Sequence, residues 1–230
     1  MSNRRAGQNV YDLARKRRFK AIVSFTAAAI SVIIPFVLVN AFEQLLKSIA
    51  RLNPAQPSHL QISPLLYGLF ALVAIGLVIN GAKLWQQADR ADQGAKGEED
   101  MARSLAPLEQ NGWQIEYGMR LGKGLGDADI FCVSPGGQAF VVDVKSHRGE
   151  VVSDGQQLSR RMGKQTYPFE KDFLRQAMKQ ALQVKEQKRL NFVTPIVAFS
   201  QARVAVGSKK PRGVYVVEKA GLVALLRSLG

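Results

Sequence analysis

The sequence is poor in the residues that form disulfides and zinc sites. It has one cysteine among 230 residues, Cys132, so an intrachain disulfide is excluded, which suits a reducing compartment. The two histidines, His59 and His147, lie far apart in different kinds of segment. This separation argues against a zinc site built from histidine and cysteine.

Acidic residues are scarce outside one stretch of the chain. The net charge is +14, made up of +8 over residues 1–85, −4 over residues 86–150 and +10 over residues 151–230. A chain this basic favours a polyanion or an acidic membrane surface as partner. The acidic stretch followed by a basic one suggests a site that holds cations next to a region that holds an anion.

Charged residues are also missing from two long apolar runs, which predict transmembrane helices at about 21–42 and 64–84. A cleaved signal peptide has a shorter apolar region than the first run, and core helices of a soluble domain would show a polar face. Lys83 and Trp85 are suited to anchor the second helix at the membrane interface. We therefore expect an integral membrane protein that contacts the lipid bilayer through two spans.

The distribution of basic residues predicts the orientation. The first span is preceded by a basic N-terminus, residues 1–20, whereas the loop between the spans is poor in cations. The positive-inside tendency then places both termini in the cytoplasm and the loop outside. The predicted organisation is a basic N-terminus (1–20), two spans (21–85) and a cytoplasmic domain (86–230). We interpret the N-terminal cations as a topology signal and a lipid contact, not as a nucleic-acid site.

The periodicity of residues 86–230 predicts an α/β or α+β domain of ordinary size, about 140 residues. A helical segment comes first, then the alternating strand WQIEYGMRL and a hairpin. Short strands near Val151 and Leu158 follow, then a long helix at about 169–190. The chain closes with the strands VTPIVAFS and GVYVV and a final helix, AGLVALLRSL.

The hairpin GDADIFCVSPGGQAFVVDVKSHRG carries charged residues at its strand ends. Alternation along the second strand puts Asp143 and Lys145 on one face. The SPGGQ turn favours a three-residue loop with Gly137 in the left-handed conformation. In that register Asp129 lies opposite Asp143 and Asp127 lies near Lys145, whereas a two- or four-residue loop would separate the two carboxylates.

Two carboxylates across a hairpin repel each other, so either one is protonated or a cation binds between them. Hard oxygen ligands suit Mg²⁺ or Mn²⁺. Lys145 could position a water or stabilise an anion, and these are the parts of a metal-assisted attack on a phosphodiester. The alternative is that Asp129 and Asp143 only bond to turns and Lys145 is a solvated partner.

Four segments, GAKGEEDMARSL, GDADIFCV, AFVVDVKSHRG and RQAMKQA, together resemble the nuclease-related domain family over about residues 91–190. The resemblance implies a restriction-endonuclease-like α/β fold, with a mixed central sheet flanked by helices, here preceded by a two-helix transmembrane hairpin. It implies a nuclease acting on DNA or RNA with Mg²⁺ or Mn²⁺. Membrane spans before the domain also occur in that family.

The resemblance also implies roles for individual residues. Glu98, Asp129, Asp143 and the main-chain carbonyl of Val144 would hold the metal. Lys145, Asp143, Asp129 and Gln176 would form the catalytic group, with Gln180 on the same helix face as Gln176. Asp127 is the alternative to Asp129, because Ile130 stands where family members often have histidine. Asp143 stands where glutamate is more common, a change that the superfamily pattern permits.

Three functions follow as hypotheses. The first is a membrane-anchored metal-dependent nuclease, in which basic residues after 160 hold the nucleic acid. The second is a non-catalytic nucleic-acid-binding or scaffold module on the same fold, and the third is a cytoplasmic domain that binds protein partners. In all of them we expect His147 to be a polar loop residue.

Overall fold

The computed structural model describes residues 6–50, 64–122, 124–208 and 210–230. Residues 51–63 of the predicted external loop therefore lie outside the described residues, as do residues 1–5 of the basic N-terminus. The chain divides into two compact units. Leu13–Arg90 form the helical unit, and the start of the chain as far as Asp12 joins Ala91–Gly230 in the α/β unit.

The helical unit consists of the greater part of two helices, α1 (Gln8–Ala50) and α2 (Pro64–Gln110). Both are long and apolar enough to cross a membrane, as predicted. Small residues let them approach: the ring of Phe25 lies 2.6 Å from where a Cβ on Gly81 would stand, and Asn80 donates a 2.9 Å hydrogen bond to Ser24. Many of the remaining apolar side chains are exposed, as in a helix that faces lipid.

One difference from the expected pattern is that α2 continues without a break to Gln110. The first helix predicted for the soluble domain is thus the second half of α2. The residues after Lys83 change the surroundings of the helix but include no proline until Pro107, which lies within the last turn of the helix, so the helix continues to Gln110.

The α/β unit is built on a mixed seven-stranded sheet. Five strands run in antiparallel order along one path, and β6 and β7 extend the sheet from β3 in parallel pairing. The strands are β1 (Gln114–Arg120), β2 (Asp127–Val133), β3 (Ala139–Ser153), β4 (Leu158–Met162), β5 (Gln165–Pro168), β6 (Thr194–Val204) and β7 (Tyr215–Glu218). The remaining elements are α3 (Phe173–Lys188), a single 3-10 turn at Pro211–Gly213 and α4 (Lys219–Leu229).

Helices cover both faces of the sheet, which confirms the predicted α/β class. On one face Met101, Leu105 and Leu108 of α2 pack with α4 against Ile130, Phe140 and other strand residues. On the other face α3 packs through Leu174, Ala177, Ala181 and Val184. Side chains of β3 therefore alternate between the α2 and α3 faces, and Asp143 points to the α3 face together with Val141.

The long strand β3 is where the sheet divides. β2 pairs with it as far as Val142, and β4 pairs with it from Glu150 onward. Between these two partners, residues 143–149 have β6 along one edge and no described strand along the other. We call this gap the fork, and it contains Asp143 and Lys145.

The short strand predicted near Val151 is instead the far end of β3. No turn interrupts the strand, because β6 stays paired with it across a register shift between Lys145 and Arg148. Gly149, which follows the shift, has a φ of 97°. The strand near Leu158 is confirmed as β4, while β5 had no separate signal in the sequence.

Gly97 lets α2 lie close to the sheet at the fork. A Cβ at this position would stand 2.7 Å from Ser200 Oγ, which would have to rotate away, and 3.0 Å from Ser146 Cβ, which would have to move by a few tenths of an ångström. Gly94, one turn earlier, would meet only Val10 Cγ1 at 3.7 Å, which is an ordinary contact. The close approach places the following residue, Glu98, beside the fork.

We expect Gly97→Ala to destabilise the α/β unit by about 1 to 3 kcal/mol, because the added methyl overpacks the contact between α2 and the sheet. The measurement is thermal unfolding of the full chain in detergent micelles. Gly94→Ala is the matched control on the same helix. It should be neutral or stabilising by up to about 1 kcal/mol, since alanine favours the helix more than glycine. Equal stability of the two variants would contradict the tight contact.

Candidate functional site at the fork

The turn of the β2–β3 hairpin sets the register at the fork. Gly137 has a φ of 83°, and Ser134 N donates to Gln138 O at 2.9 Å, as the three-residue loop predicts. The ladder runs from Val133–Ala139 to Ile130–Val142. One further step in this register places Asp129 opposite Asp143, which confirms the predicted convergence of the two strand ends.

Asp143 is buried at the fork, with 1% of its surface exposed. Lys145 Nζ lies 2.7 Å from its Oδ2, and Gln176 Nε2 of α3 donates to its Oδ1 at 3.2 Å. Oδ2 accepts no well-aligned hydrogen bond among the described residues, so the ammonium compensates this oxygen chiefly by charge. Burial raises the pKa of Asp143, and the charge of Lys145 opposes that rise.

The side chain of Asp129 bonds to the edge of β3 at the fork, where a neighbouring strand would otherwise accept the main-chain hydrogen bond. Its Oδ2 accepts a 2.7 Å hydrogen bond from the main-chain N–H of Val144. Burial raises the pKa of Asp129 well above its usual range, and the charges of Asp143 and Glu98 raise it further. Because the N–H and C=O of one strand residue point to the same edge, the Val144 carbonyl also points into the fork.

Glu98 reaches the same group from α2, on the opposite side of the sheet from Gln176. Burial raises its pKa to about 7, although the N–H of Gly7 bonds to the carboxylate and lowers the pKa. The charge of Asp143 also raises the pKa of Glu98, and the charge of Lys145 lowers it. Glu98, Asp129, Asp143 and Lys145 are thus within electrostatic reach of one another.

The charges at the fork do not balance when all the acids are ionised. Three carboxylates surround a single ammonium, in surroundings that penalise every charge. Protons or a divalent cation would remove the excess, and oxygen donors suit Mg²⁺ or Mn²⁺. The chemistry of the donors therefore fits such an ion.

The side chains at the fork are of the right chemical type for such an ion, but they are not arranged to coordinate one. Among the described residues, no group of three His, Cys, Asp or Glu side chains is placed to hold a metal directly. The reason lies in the contacts above: Asp129 bonds to Val144, while Asp143 bonds to Lys145 and Gln176. A metal would have to replace part of these contacts.

Lys145 is held on two sides. Its ammonium lies 4.7 Å from the ring centre of Phe173 and 2.7 Å from Asp143 Oδ2, and 14% of its side chain is exposed. His147 lies inside β3 and not in a loop as expected, with its ring 4.9 Å from that of Phe169 and 5.4 Å from that of Phe173. Burial and the nearby charges of Lys145 and Arg160 lower the pKa of His147.

Residues 93–200 match the family model for the nuclease-related domain. The chain carries a nuclease-related domain. The matched range begins in α2 just before Glu98 and ends in β6, so it includes every residue described at the fork, and it confirms the resemblance. No curated protein matched the chain.

The α/β unit includes contacts that the sequence did not signal. At the start of α1, Gly7 bonds to Glu98, and Asn9 Nδ2 donates to Asp127 Oδ2 at 2.7 Å. Gly7 fits only because it lacks a side chain, since a Cβ would stand 2.7 Å from Ala95 O. Nothing in the sequence distinguished these residues from the rest of the basic N-terminus.

These contacts separate Asp127 from Asp129. Both aspartates are half-buried, but Asp127 accepts a hydrogen bond from the side chain of Asn9, while Asp129 accepts one from the main chain of β3. Gln180 is buried beside them, with Nε2 3.4 Å from the Asp127 carbonyl and its Oε1 without a hydrogen bond among the described residues. Asp127 ties the N-terminus to the α/β unit through Asn9, and its charge also raises the pKa of Glu98.

A basic cavity of about 400 Å³ adjoins the fork. Gln176, which contacts Asp143, is part of its wall. The other lining residues are Leu125, Lys171, Asp172, Arg175, Lys179 and Gln180. An anion in this cavity would meet three cations close to the carboxylates.

We expect Asn9→Ala to lower the stability of the nuclease-related domain by about 1 to 2 kcal/mol, because a partly buried carboxylate loses a hydrogen bond. The measurement is denaturant unfolding of the full chain in detergent micelles. Asn191→Ala, at an exposed loop residue, is the matched control and should change stability by less than about 0.5 kcal/mol. If both variants unfold at the same denaturant concentration as wild type, the contact between Asn9 and Asp127 does not form in solution.

Proposed function

We propose that the protein is a membrane-anchored nuclease that hydrolyses phosphodiester bonds of nucleic acid with Mg²⁺ or Mn²⁺. The observation that carries this proposal is the convergence of Asp129, Asp143 and Lys145 at the fork of a nuclease-related domain. The third carboxylate, Glu98, and the excess negative charge support it further.

Each residue has a role in this proposal. Asp129, Asp143, Glu98 and the Val144 carbonyl would hold the ion, whose chemistry is to polarise the phosphate and to acidify a bound water. Gln176 would orient Asp143 through its hydrogen bond. Lys145, fixed between Asp143 and Phe173, would stabilise negative charge that develops on the phosphate oxygens and orient the attacking water.

The cavity beside the fork supports the nucleic-acid part of the proposal. Lys171, Arg175 and Lys179 have no ion-pair partner within 4 Å among the described residues, so their charges are available to phosphate groups. DNA and RNA share this chemistry. The phosphate next to the cleaved bond would lie against α3 in this arrangement.

The membrane part rests on α1 and α2. Two adjacent spans return the chain to its starting side, so the nuclease-related domain would lie on the same side as the N-terminus. The cations of residues 15–20, which directly precede the first span, favour the cytoplasmic side. Both termini would then be cytoplasmic.

A second candidate is a nucleic-acid-binding or scaffold module without catalysis. The observation in its favour is that Asp129 and Asp143 each accept a hydrogen bond within the domain, and no three-ligand metal group is present among the described residues. The two candidates differ in their response to metal and in their need for Lys145.

We expect Lys145→Met to reduce hydrolysis of DNA or RNA by roughly 10² to 10⁴-fold, because the charge on the phosphate loses its stabilisation. Methionine keeps an apolar stem against Phe173. The assay uses the full chain in detergent micelles with Mg²⁺ or Mn²⁺. Lys96→Met, at an exposed position of α2, is the control and should retain wild-type activity. Unchanged activity of Lys145→Met, or no hydrolysis by wild type, would refute the catalytic proposal.

We also expect millimolar Mg²⁺ or Mn²⁺ to raise the unfolding temperature of the wild-type chain by several degrees, because an ion that binds only the folded state stabilises it. Asp129→Asn should lose this response, and it should be more stable than wild type in chelator, where a buried charge is removed. Asp12→Asn, at an exposed position, is the control and should respond as wild type does. Absence of any response in wild type would favour the non-catalytic module.

A further inference from the structure

The hairpin of β4 and β5, Leu158–Pro168, is a basic and largely exposed element of the domain, which we call the basic hairpin. Its strands pair from Ser159–Pro168 to Met162–Gln165 around a two-residue turn. Residues 161–168 are all exposed, and the hairpin contains three cations and no acidic residue. It joins the rest of the sheet only through the end of β3.

The charges of the basic hairpin are largely free to bind a partner. Arg161 donates to Glu150 at 2.7 Å, but Arg160 and Lys164 have no ion-pair partner within 4 Å among the described residues. The pairing of Arg160 with Tyr167 puts these two side chains on one face, which Met162 shares by alternation. This face therefore offers a cation for phosphate, together with an exposed aromatic ring and an exposed thioether.

The direction of the basic hairpin is fixed at its base. Arg212 Nη1 donates to Asp172 Oδ2 at 2.7 Å and to Gln156 O at 3.1 Å. These bonds tie the turn before β4 to the N-cap of α3. The basic hairpin and the basic cavity beside α3 are therefore held together at the base of the hairpin. They are also close in sequence, because Lys171 of the cavity follows Pro168, the last residue of the hairpin, by three residues.

The basic hairpin is also close to the fork. β4 pairs Arg160 with Val151 of β3, six residues beyond Lys145, which is at most about 20 Å along an extended strand. One turn of duplex DNA measures about 34 Å. A single duplex can therefore contact both Lys145 and the basic hairpin.

We propose that the basic hairpin is a ribbon that binds duplex DNA beside the fork, so that the substrate of the site is double-stranded DNA. This inference rests on the proposed function for the location of the cleaved phosphate. The major groove of B-form DNA admits a two-stranded ribbon, whereas the major groove of A-form RNA is too deep and narrow for side chains to read. Exposed arginine and lysine provide the charge complementarity to phosphate.

The test measures binding without cleavage, so that it does not depend on catalysis. The full chain carrying Lys145→Met is prepared in neutral detergent micelles with chelator. Its affinity for a fluorescent DNA duplex is measured by anisotropy at several salt concentrations. The duplex has 24 base pairs, so that it covers about two helical turns. The double variant Arg160→Gln/Lys164→Gln is compared with Lys96→Gln/Arg120→Gln, which removes the same charge from exposed sites on α2 and β1.

We expect the hairpin variant to bind duplex DNA roughly tenfold more weakly, with the slope of log affinity against log salt reduced by about 2, while the control pair changes little. An RNA duplex of the same length should show no such difference. Lys164→Gln alone, at the turn, should reduce the slope by about 1, which provides a reading even if the double variant folds poorly.

Three results would overturn the inference. They are wild-type affinity of the hairpin variant, an equal loss in the control pair, and an equal loss for duplex RNA. Failure of the proposed function is distinguishable, because it would appear as an absence of hydrolysis in wild type while DNA binding through the hairpin remained.

Discussion

The buried contact between Asp143 and Lys145 is the interaction around which the fork is organised. A carboxylate with 1% of its surface exposed needs compensation, and the ammonium two residues further along the same strand supplies it at 2.7 Å. Alternation puts the two side chains on one face of β3, and the strand edge beside them has no described strand, because β2 pairs with β3 only as far as Val142 and β4 only from Glu150. In a continuous sheet the same edge would be filled by main-chain hydrogen bonds.

The fork is also where the domain holds more negative charge than it neutralises. Asp129 replaces a missing strand by bonding to Val144, and Glu98 is brought in by the close contact at Gly97. Each arrangement has a structural reason, yet together they leave three acids near one ammonium. A site with this imbalance gains stability from a proton or a divalent cation, which links the packing of the sheet to the chemistry we propose.

The two long helices contribute to both compact units. α2 begins in the apolar helical unit and carries Glu98 in its second half, while the first residues of α1 bond to Glu98 and Asp127. The segment that the charge pattern marks as a topology signal therefore includes, at its start, a structural part of the nuclease-related domain. The structural contacts involve Gly7 and Asn9, whereas the topology signal involves the cations of residues 15–20. The two roles do not conflict, because they use different residues.

The sequence by itself determined the features that depend on local chemistry. Uncharged runs predicted the two apolar helices, alternation predicted that Asp143 and Lys145 share a face, and the SPGG turn predicted the register that brings Asp129 opposite Asp143. Only the tertiary structure decided the fork, the continuity of β3 past Val151, the placement of His147 among aromatic rings and the docking of Gly7 and Asn9. These features depend on contacts between segments far apart in the chain, such as Gly97 with Ser146 or Asn9 with Asp127. No local sequence pattern encodes which distant segment will bond to a given polar group or fill a given gap.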